Sequence, residues 1–445
     1  MRRVVLVDFY WTRDKDPRVP LGHASLLAAL RQDGVEVQTL VIAVNDGCHE
    51  PARVAAAILD RAGGPTADAD VAFGAYVWGE ALLQNVLRAL RGSGFRGRII
   101  LGGPQVSYSG AGLEALYPEA DAFIRGYGER ALSALVRSPS GASITGVHWA
   151  GTEDRLEQAK VDLESLPSPW LTGVIPLEGQ RFIRWETQRG CMFRCAFCQH
   201  REAGARLTRR SLARSRIEAE IDLFCEAGVR DIAVLDPIFN SHPSRHAVDV
   251  LSRFAARGYA GRLSLQCRAE AIDDAFLDAA AALDVVLEFG LQTIHQEEGK
   301  AVDRMNNLAK IDQALARVRA RGIKHEVSVI FGLPLQTRTS FEATVAWCLE
   351  RRVPVIKAFP LMLLRGTPLE RDRATWALED SGGPMPMVVR SSTFDLRDWQ
   401  AMARLSEALR LTEGRHPHTL DPLVARADTL EPDLFRWIPS ELKEA

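Results

Sequence analysis

Short apolar runs alternate with amphipathic stretches along most of the chain, and the alternation is interrupted once, after about residue 150. In the first part, residues 4–9 read as a buried strand and 22–32 as a helix ended by Gly34. Residues 35–41, 71–78, 98–101 and 120–125 predict further strands, with helices over 53–61 and 81–91 and another opening near Glu129. Continuous apolar strands between helices predict an α/β fold, a parallel doubly wound sheet over 1–150. Residues 151–180 are rich in turn formers, with Pro167, Pro169, Gly173 and Pro176, and form a linker. From 181 the alternation restarts. Strands are expected at 182–187, 231–235, 262–268, 284–290, 324–331 and 353–361, and helices at 212–227, 246–257, 271–282, 308–321 and 340–351. Six such units with short turns predict a partial six-stranded (β/α) barrel over 181–370, with its chemistry at the carboxyl ends of the strands. Residues 371–445, including a helix over 399–411, form a C-terminal extension expected to cap the barrel mouth.

Composition narrows the function classes. The 445 residues are 47% apolar and 25% charged, ordinary for a soluble globular protein of two or three domains. Lys plus Arg (55) nearly balances Asp plus Glu (57), so no net field favours nucleic acid or a membrane surface. The basic cluster at 206–216 therefore reads as a solvated helix face. No uninterrupted run of eighteen apolar residues predicts a membrane span, and the apolar run at 4–7 is too short for a signal peptide. Seven cysteines in a chain of this size do not form a disulfide framework, and a cytoplasmic location is expected.

Three of those cysteines carry the chemistry. Arg189-Gly190-Cys191-Met192-Phe193-Arg194-Cys195-Ala196-Phe197-Cys198-Gln199-His200 follows the first barrel strand and spaces its thiols as C-x3-C-x2-C. A short loop of this kind lets three thiolates close on three corners of one iron–sulfur cluster. A four-iron cluster held by three cysteines leaves one iron open to a ligand from outside the protein. Two other readings compete: a zinc site with His200 as fourth ligand, and three unrelated buried cysteines. Structural zinc sites usually pair two C-x2-C knuckles, and no second knuckle occurs here. Cys48, Cys225, Cys267 and Cys348 share no ligand spacing, which argues against an auxiliary cluster.

The loop and the barrel pattern together resemble the radical S-adenosylmethionine (SAM) enzymes. That resemblance implies a [4Fe-4S] cluster on Cys191, Cys195 and Cys198, and SAM chelated to the open iron. Reduction by a one-electron donor such as flavodoxin or ferredoxin would then release a 5′-deoxyadenosyl radical. It also implies roles at the strand ends. Asp236, in Asp236-Pro237-Ile238-Phe239-Asn240, would face SAM and substrate, with a plain helix cap as its structural alternative. Arg268 would contact the SAM carboxylate, where a guanidinium forks naturally. Glu288 and Gln292, in Glu288-Phe289-Gly290-Leu291-Gln292-Thr293, would bind the ribose or the substrate; a buried ion pair with Arg304 is the alternative for Glu288. Phe193 and Phe197 would shield the cluster, Gly332 would belong to the fifth strand end, and the backbone at Leu363 and Leu364 would hold the adenine edge. The usual family form has Gly where Leu335 stands. Asp236, Glu288, Glu270 and Glu326 are the carboxylates expected to include a catalytic base. His416-Pro417-His418 is a weak metal motif that reads as a surface turn.

Residues 1–150 are similar to the cobalamin-binding-type domain of one branch of that family. Its expected strand-end loops are Tyr76-Val77-Trp78-Gly79, Gly102-Gly103-Pro104-Gln105-Val106-Ser107 and Gly126-Tyr127-Gly128-Glu129. Their glycines would let backbone approach a flat corrin, or would simply make tight turns. The cobalt-ligating D-x-H-x-x-G motif is absent, since Asp46-Gly47-Cys48-His49 does not fit it, and the residues leave cobalamin open. Two reactions follow from the resemblance. The main expectation is radical dehydration, removing a 3′-hydroxyl from an aminoglycoside sugar in antibiotic biosynthesis, with a partner reductase for the keto product. The alternative is cobalamin-dependent C-methylation, and a non-catalytic cluster-binding protein is a remote third.

Overall fold

The computed structural model describes residues 2–17, 19–200, 209–241, 243–383 and 385–439. It divides into two compact units, one formed by the chain up to Arg184 with Arg210–Val229, the other by most of the remainder from Trp185.

In the first unit a six-stranded sheet is built from β1 (Arg3–Tyr10), β2 (Val37–Ala43), β3 (Ala69–Gly74), β4 (Arg98–Gly102), β5 (Ala122–Ile124) and β6 (Val147–Trp149), in the order 2-1-3-4-5-6. The first five strands run parallel and β6 is antiparallel to β5. Helices α1 (Leu21–Gln32), α2 (Pro51–Ala62), α3 (Glu80–Gly92) and α4 (Gly128–Arg137) connect them. Val5, Val7 and Phe9 of β1 meet Val71, Phe73, Ile58 and Leu87 in a core that excludes water. Burying strands on both faces requires the near-continuous apolar runs seen in the sequence. The strand order reverses between β1 and β3, and ligands of such sheets bind at the carboxyl ends beside that reversal. Helix α5 (Arg214–Glu226) also belongs to this unit, with Phe224 edge-on to Trp170 at 5.3 Å. The basic cluster expected at 206–216 is only partly a solvated face. Arg206, Leu207 and Thr208 lie outside the described residues, Arg214 is exposed beside Glu218, and Arg216 is mostly covered and pairs with the buried Glu220 at 2.8 Å.

The second sheet, in the order β12-β11-β10-β9-β8-β7, comprises β7 (Phe182–Trp185), β8 (Asp231–Val234), β9 (Arg262–Cys267), β10 (Asp284–Gln292), β11 (Lys324–Phe331) and β12 (Ile356–Pro360). The division between the units falls within β7. Helices α6 (Arg245–Ala256), α7 (Asp274–Ala281), α8 (Gln296–Ala301), α9 (Leu308–Ala320) and α10 (Arg338–Glu350) alternate with the strands. Along β10, Val285, Leu287, Phe289 and Leu291 are buried, whereas Glu288, Gly290 and Gln292 keep partial exposure on the opposite face. That alternation gives the sheet a polar inner surface behind an apolar outer one.

The extension beyond residue 370, expected to cap the barrel mouth, packs along the last strand and the segment just beyond its carboxyl end. Strand β13 (Val388–Arg390) pairs with Glu379–Asp380, and its Val388 N–H donates to the Leu361 carbonyl just beyond β12 at 2.8 Å. Helix α11 (Leu396–Leu411) lies over β12, where Ser406 Oγ donates to the Ala358 carbonyl at 2.8 Å. Unpaired edge groups are costly to leave bare, which is the physical reason for this position. His416 is no metal ligand: its Nε2 accepts the Ile356 N–H at 3.0 Å and its Nδ1 meets the Thr412 hydroxyl at 2.9 Å.

Candidate active site

The cysteine loop leaves β7 through a bend at Gly190, whose φ of +85° suits a residue without Cβ. Its middle is fastened on both sides. Ala196 N–H donates to the Val302 carbonyl at 2.8 Å, Leu369 N–H donates to the Ala196 carbonyl at 3.0 Å, and Gln199 Nε2 donates to the Arg365 carbonyl at 2.7 Å. Cys195 is buried, and Cys191 and Cys198 are half-buried. Burial pushes the Cys198 thiol up to about 11 and raises Cys191 as well, while the positive charge of Arg304 acts in the opposite sense on both. Thiols in this state become thiolates when a metal takes the place of the proton. Among the described residues, no three His, Cys, Asp or Glu side chains already converge on a single point. Three sulfurs spaced along one short loop suit the corners of a cluster.

Beside the loop a cavity of about 370 Å³ opens at the carboxyl ends of the strands. Phe197 of the loop, Pro237 and Ile238 after β8, and Gln266 and Arg268 at β9 form one side. Glu288, Gly290 and Gln292 of β10, Ser328 and Ile330 of β11, and Phe359 to Met362 with Leu364 form the other. The register of the parallel strands explains part of this, because Gln266, Glu288 and Glu326 are ladder neighbours across three strands. Glu326 is engaged by Lys357 at 2.6 Å. Gln292 has a φ of +68° where the β10–β11 register slips, and its buried Oε1 has no partner. A bulge there re-aims a side chain into the cavity.

The structure thus brings Phe197, Arg268, Glu288, Gln292 and Leu364 to one cavity. Other expected residues lie elsewhere. Asp236 is fully buried behind the wall, where its carboxylate accepts the N–H groups of Thr187 (2.8 Å) and Gln188 (3.1 Å) and the Thr187 hydroxyl (2.5 Å). Its lone pairs are taken up in anchoring the start of the cysteine loop, which corrects its assignment as a group facing substrate. Glu270 lines a neighbouring groove of about 760 Å³ and pairs with Arg268 at 3.3 Å. Gly332 and Leu363 have their N–H groups engaged: Gly332 N–H donates to the Gln336 side-chain Oε1 at 2.7 Å, and Leu363 N–H to the Pro386 carbonyl at 2.8 Å. Phe193, expected to shield the cluster, is 36% exposed and lies under the Arg268 guanidinium at 4.1 Å. Arg304 was expected only as a partner for Glu288. It lines the cavity, and its Nη1 points at Cys195 Sγ at 3.8 Å. Nothing in the local sequence Asp303-Arg304-Met305 announces that contact.

In the first unit, the loop after β3, beside the β1/β3 reversal, carries the stacked rings of Tyr76 and Trp78, 4.9 Å apart. Asp8 and His23 are buried there, and Asp8 Oδ1 and His23 Nε2 lack partners. Unpartnered polar atoms at this position suit a ligand with hydrogen-bonding arms, and the residues fit a corrinoid in that respect. Two of the glycines answer to the chain itself. A Cβ on Gly103 would fall 2.9 Å from the Ala75 carbonyl oxygen, and one on Gly126 would fall 2.6 Å from that of Ala159.

Comparison with known proteins agrees with this division. The model of the Radical SAM superfamily matches residues 185–348, and that of the B12 binding domain matches 16–136. The chain is 26% identical over 374 residues to the cobalamin-dependent radical SAM methyltransferase TokK of Streptomyces tokunonensis, covering 77% of this chain and 54% of that protein. It is 28% identical over 355 residues to the 2-(S-pantetheinyl)-carbapenam-3-carboxylate methyltransferase of Streptantibioticus cattleyicolor, covering 73% and 51%. The chain therefore spans about half the length of these curated relatives. Among solved structures, the radical SAM methyltransferase TsrM from Kitasatospora setae, with tryptophan substrate and a SAM analogue bound, superposes with a TM-score of 0.70 at 17% identity. That match covers 96% of this chain and 95% of TsrM and shows a shared fold. None of these relatives is named as a dehydratase, so they favour the methyltransferase alternative over the dehydration that was the main expectation. With its C-x3-C-x2-C loop at the mouth of a six-stranded partial barrel and a B12-binding sheet before it, the chain belongs to the radical SAM superfamily, in the branch that carries an N-terminal B12-binding domain.

Proposed function

We propose that the protein is a cobalamin-dependent radical SAM methyltransferase acting on a carbon of a small-molecule substrate. The observation that carries this reading is the combination, in one chain, of a matched B12-binding sheet with a matched radical SAM barrel. The methyltransferase names of both curated relatives support it. Cysteines 191, 195 and 198 would hold the [4Fe-4S] cluster, which would supply the single electron that SAM cleavage needs. The strand ends around Tyr76 and Trp78 would hold cobalamin, which supplies methyl transfer.

The chain's own residues do the positioning. Arg268 presents a guanidinium on the wall nearest the cysteine loop, suited to a carboxylate such as that of SAM. Gln292, with its unpartnered oxygen, and Glu288 offer acceptors for sugar hydroxyls or for the substrate. Phe359, Ile330 and Met362 keep the remaining wall apolar and limit water around a reactive radical. Electrons would come from a small one-electron donor protein. Among the described residues no helix is long and apolar enough to cross a membrane.

The test is metal content. After anaerobic reconstitution with iron, sulfide and excess cobalamin, then desalting, the protein should retain cobalt in proportion to chain and four irons. S-adenosylhomocysteine should accumulate alongside 5′-deoxyadenosine in the presence of an acceptor. Four irons with no cobalt would overturn the methyltransferase reading and return dehydration of an amino sugar to first place.

A further inference from the structure

Arg304 is nine-tenths buried, yet among the described residues none of its contacts is with a carboxylate. Its Nη2 donates to the Gly290 carbonyl, its Nη1 reaches Cys195 Sγ at 3.8 Å, and its Nε has no partner. A buried guanidinium without an anion is strongly unfavourable, so the arrangement is incomplete as it stands. Arg268, the other cation of the cavity, differs in having Glu270 at 3.3 Å. Space for the Arg304 head is built in: a Cβ on Gly290 would fall 3.3 Å from its Nη2 and 2.7 Å from Gln292 Nε2. The bulge that follows Gly290 keeps this part of β10 open.

We propose that the anion awaited by Arg304 is the thiolate of Cys195 within the assembled cluster, and that this contact raises the potential at which the cluster accepts its electron. Three thiolates around a [4Fe-4S] core give a net negative charge, and reduction adds one more. A fixed positive charge with an N–H aimed at a ligating sulfur stabilises the more negative, reduced state. The electron comes from a one-electron donor and no bond is made or broken in this step, so the effect is on the equilibrium of reduction alone. Arg304 is a positioning residue that acts through Cys195. The inference rests on the cluster and not on the reaction that follows SAM cleavage.

The experiment is a redox titration of the reconstituted, SAM-free full chain followed by electron paramagnetic resonance, on wild type, Arg304→Met, Arg304→Gln and Arg304→Lys. SAM affinity is measured on each by equilibrium binding. The expected result is a lower midpoint potential in the Met variant, by about a tenfold loss in the reduction equilibrium, or about 59 mV for one electron. Lys should restore part of the shift, and SAM affinity should stay within a few-fold. An unshifted potential in an iron-replete Met variant overturns the inference. So does a large loss of SAM affinity at unchanged potential, which would make the SAM carboxylate the partner. If the Met variant takes up no iron, the Gln variant, neutral but still hydrogen-bonding, decides by the same criterion. Wild-type protein that gives no cluster signal would instead remove the cluster reading itself.

Discussion

A carboxylate that already accepts two backbone N–H groups and a hydroxyl has little left to offer a substrate, and Asp236 is in that position. Burial pushes its carboxyl up to about 7. The unfolded value is about 3.9, so between the two the folded chain keeps a proton that the unfolded chain releases. The stability from this group is therefore complete below about pH 4 and is lost as pH rises through about 7. Asp236→Asn keeps an acceptor for the Thr187 and Gln188 N–H groups and cannot ionise. The variant should show a flatter fall in melting temperature between about pH 4 and 7 than wild type, and identical slopes would refute the assignment. For the cysteines, Cys191→Ala, Cys195→Ala and Cys198→Ala should each abolish 5′-deoxyadenosine formation, whereas Cys225→Ala should not. Equal loss in both classes would contradict the ligand set.

The turn after β11 shows how an element can be legible while its strain is not. Gln336 is fully buried; its Oε1 accepts the N–H groups of Gly332 and Leu333, and its Nε2 donates to the Ile330 carbonyl. Thr337 then caps α10 in a reciprocal box with Ser340. Leu335, where the family form has Gly, sits at a φ of +63° and is 37% exposed. The left-handed region costs a branched residue about 1 kcal/mol or more. Leu335→Gly should therefore stabilise the second unit by roughly 1 kcal/mol, offset in part by glycine's greater freedom in the unfolded chain. Denaturant titration measures this, and a clear destabilisation would mean that the leucine side chain contributes packing that outweighs the strain.

Most elements were readable from periodicity because strands buried on both faces and amphipathic helices leave strong signals. The elements that escaped are short or depend on distant partners. Val147–Trp149 and Val388–Arg390 have three residues each, and α8 has six. The site was readable where its chemistry is local. Three cysteines on one loop need no tertiary knowledge, whereas the Arg304–Cys195 contact joins residues 109 positions apart.

At the level of the whole molecule, two units with separate sheets predict separable cofactor responses. Cobalamin binding to the first unit should raise that unit's melting temperature. A ligand at a hundredfold excess over its dissociation constant contributes about 2.7 kcal/mol. Scanning calorimetry with and without cobalamin checks this, and no shift in any transition would count against the B12 assignment for this chain. Sequence alone determined the α/β class, the two alternating halves and the cysteine loop, because burial periodicity and ligand spacing are properties of neighbouring residues. Only the tertiary structure decided which polar residues share the cavity and which are spent on holding it. Glu288, Gln292, Arg268 and Arg304 converge through strand register and one bulge, while Asp236 turns to the backbone behind the wall. Whether a side chain meets solvent or its own main chain depends on what packs across from it, and that partner lies far along the chain.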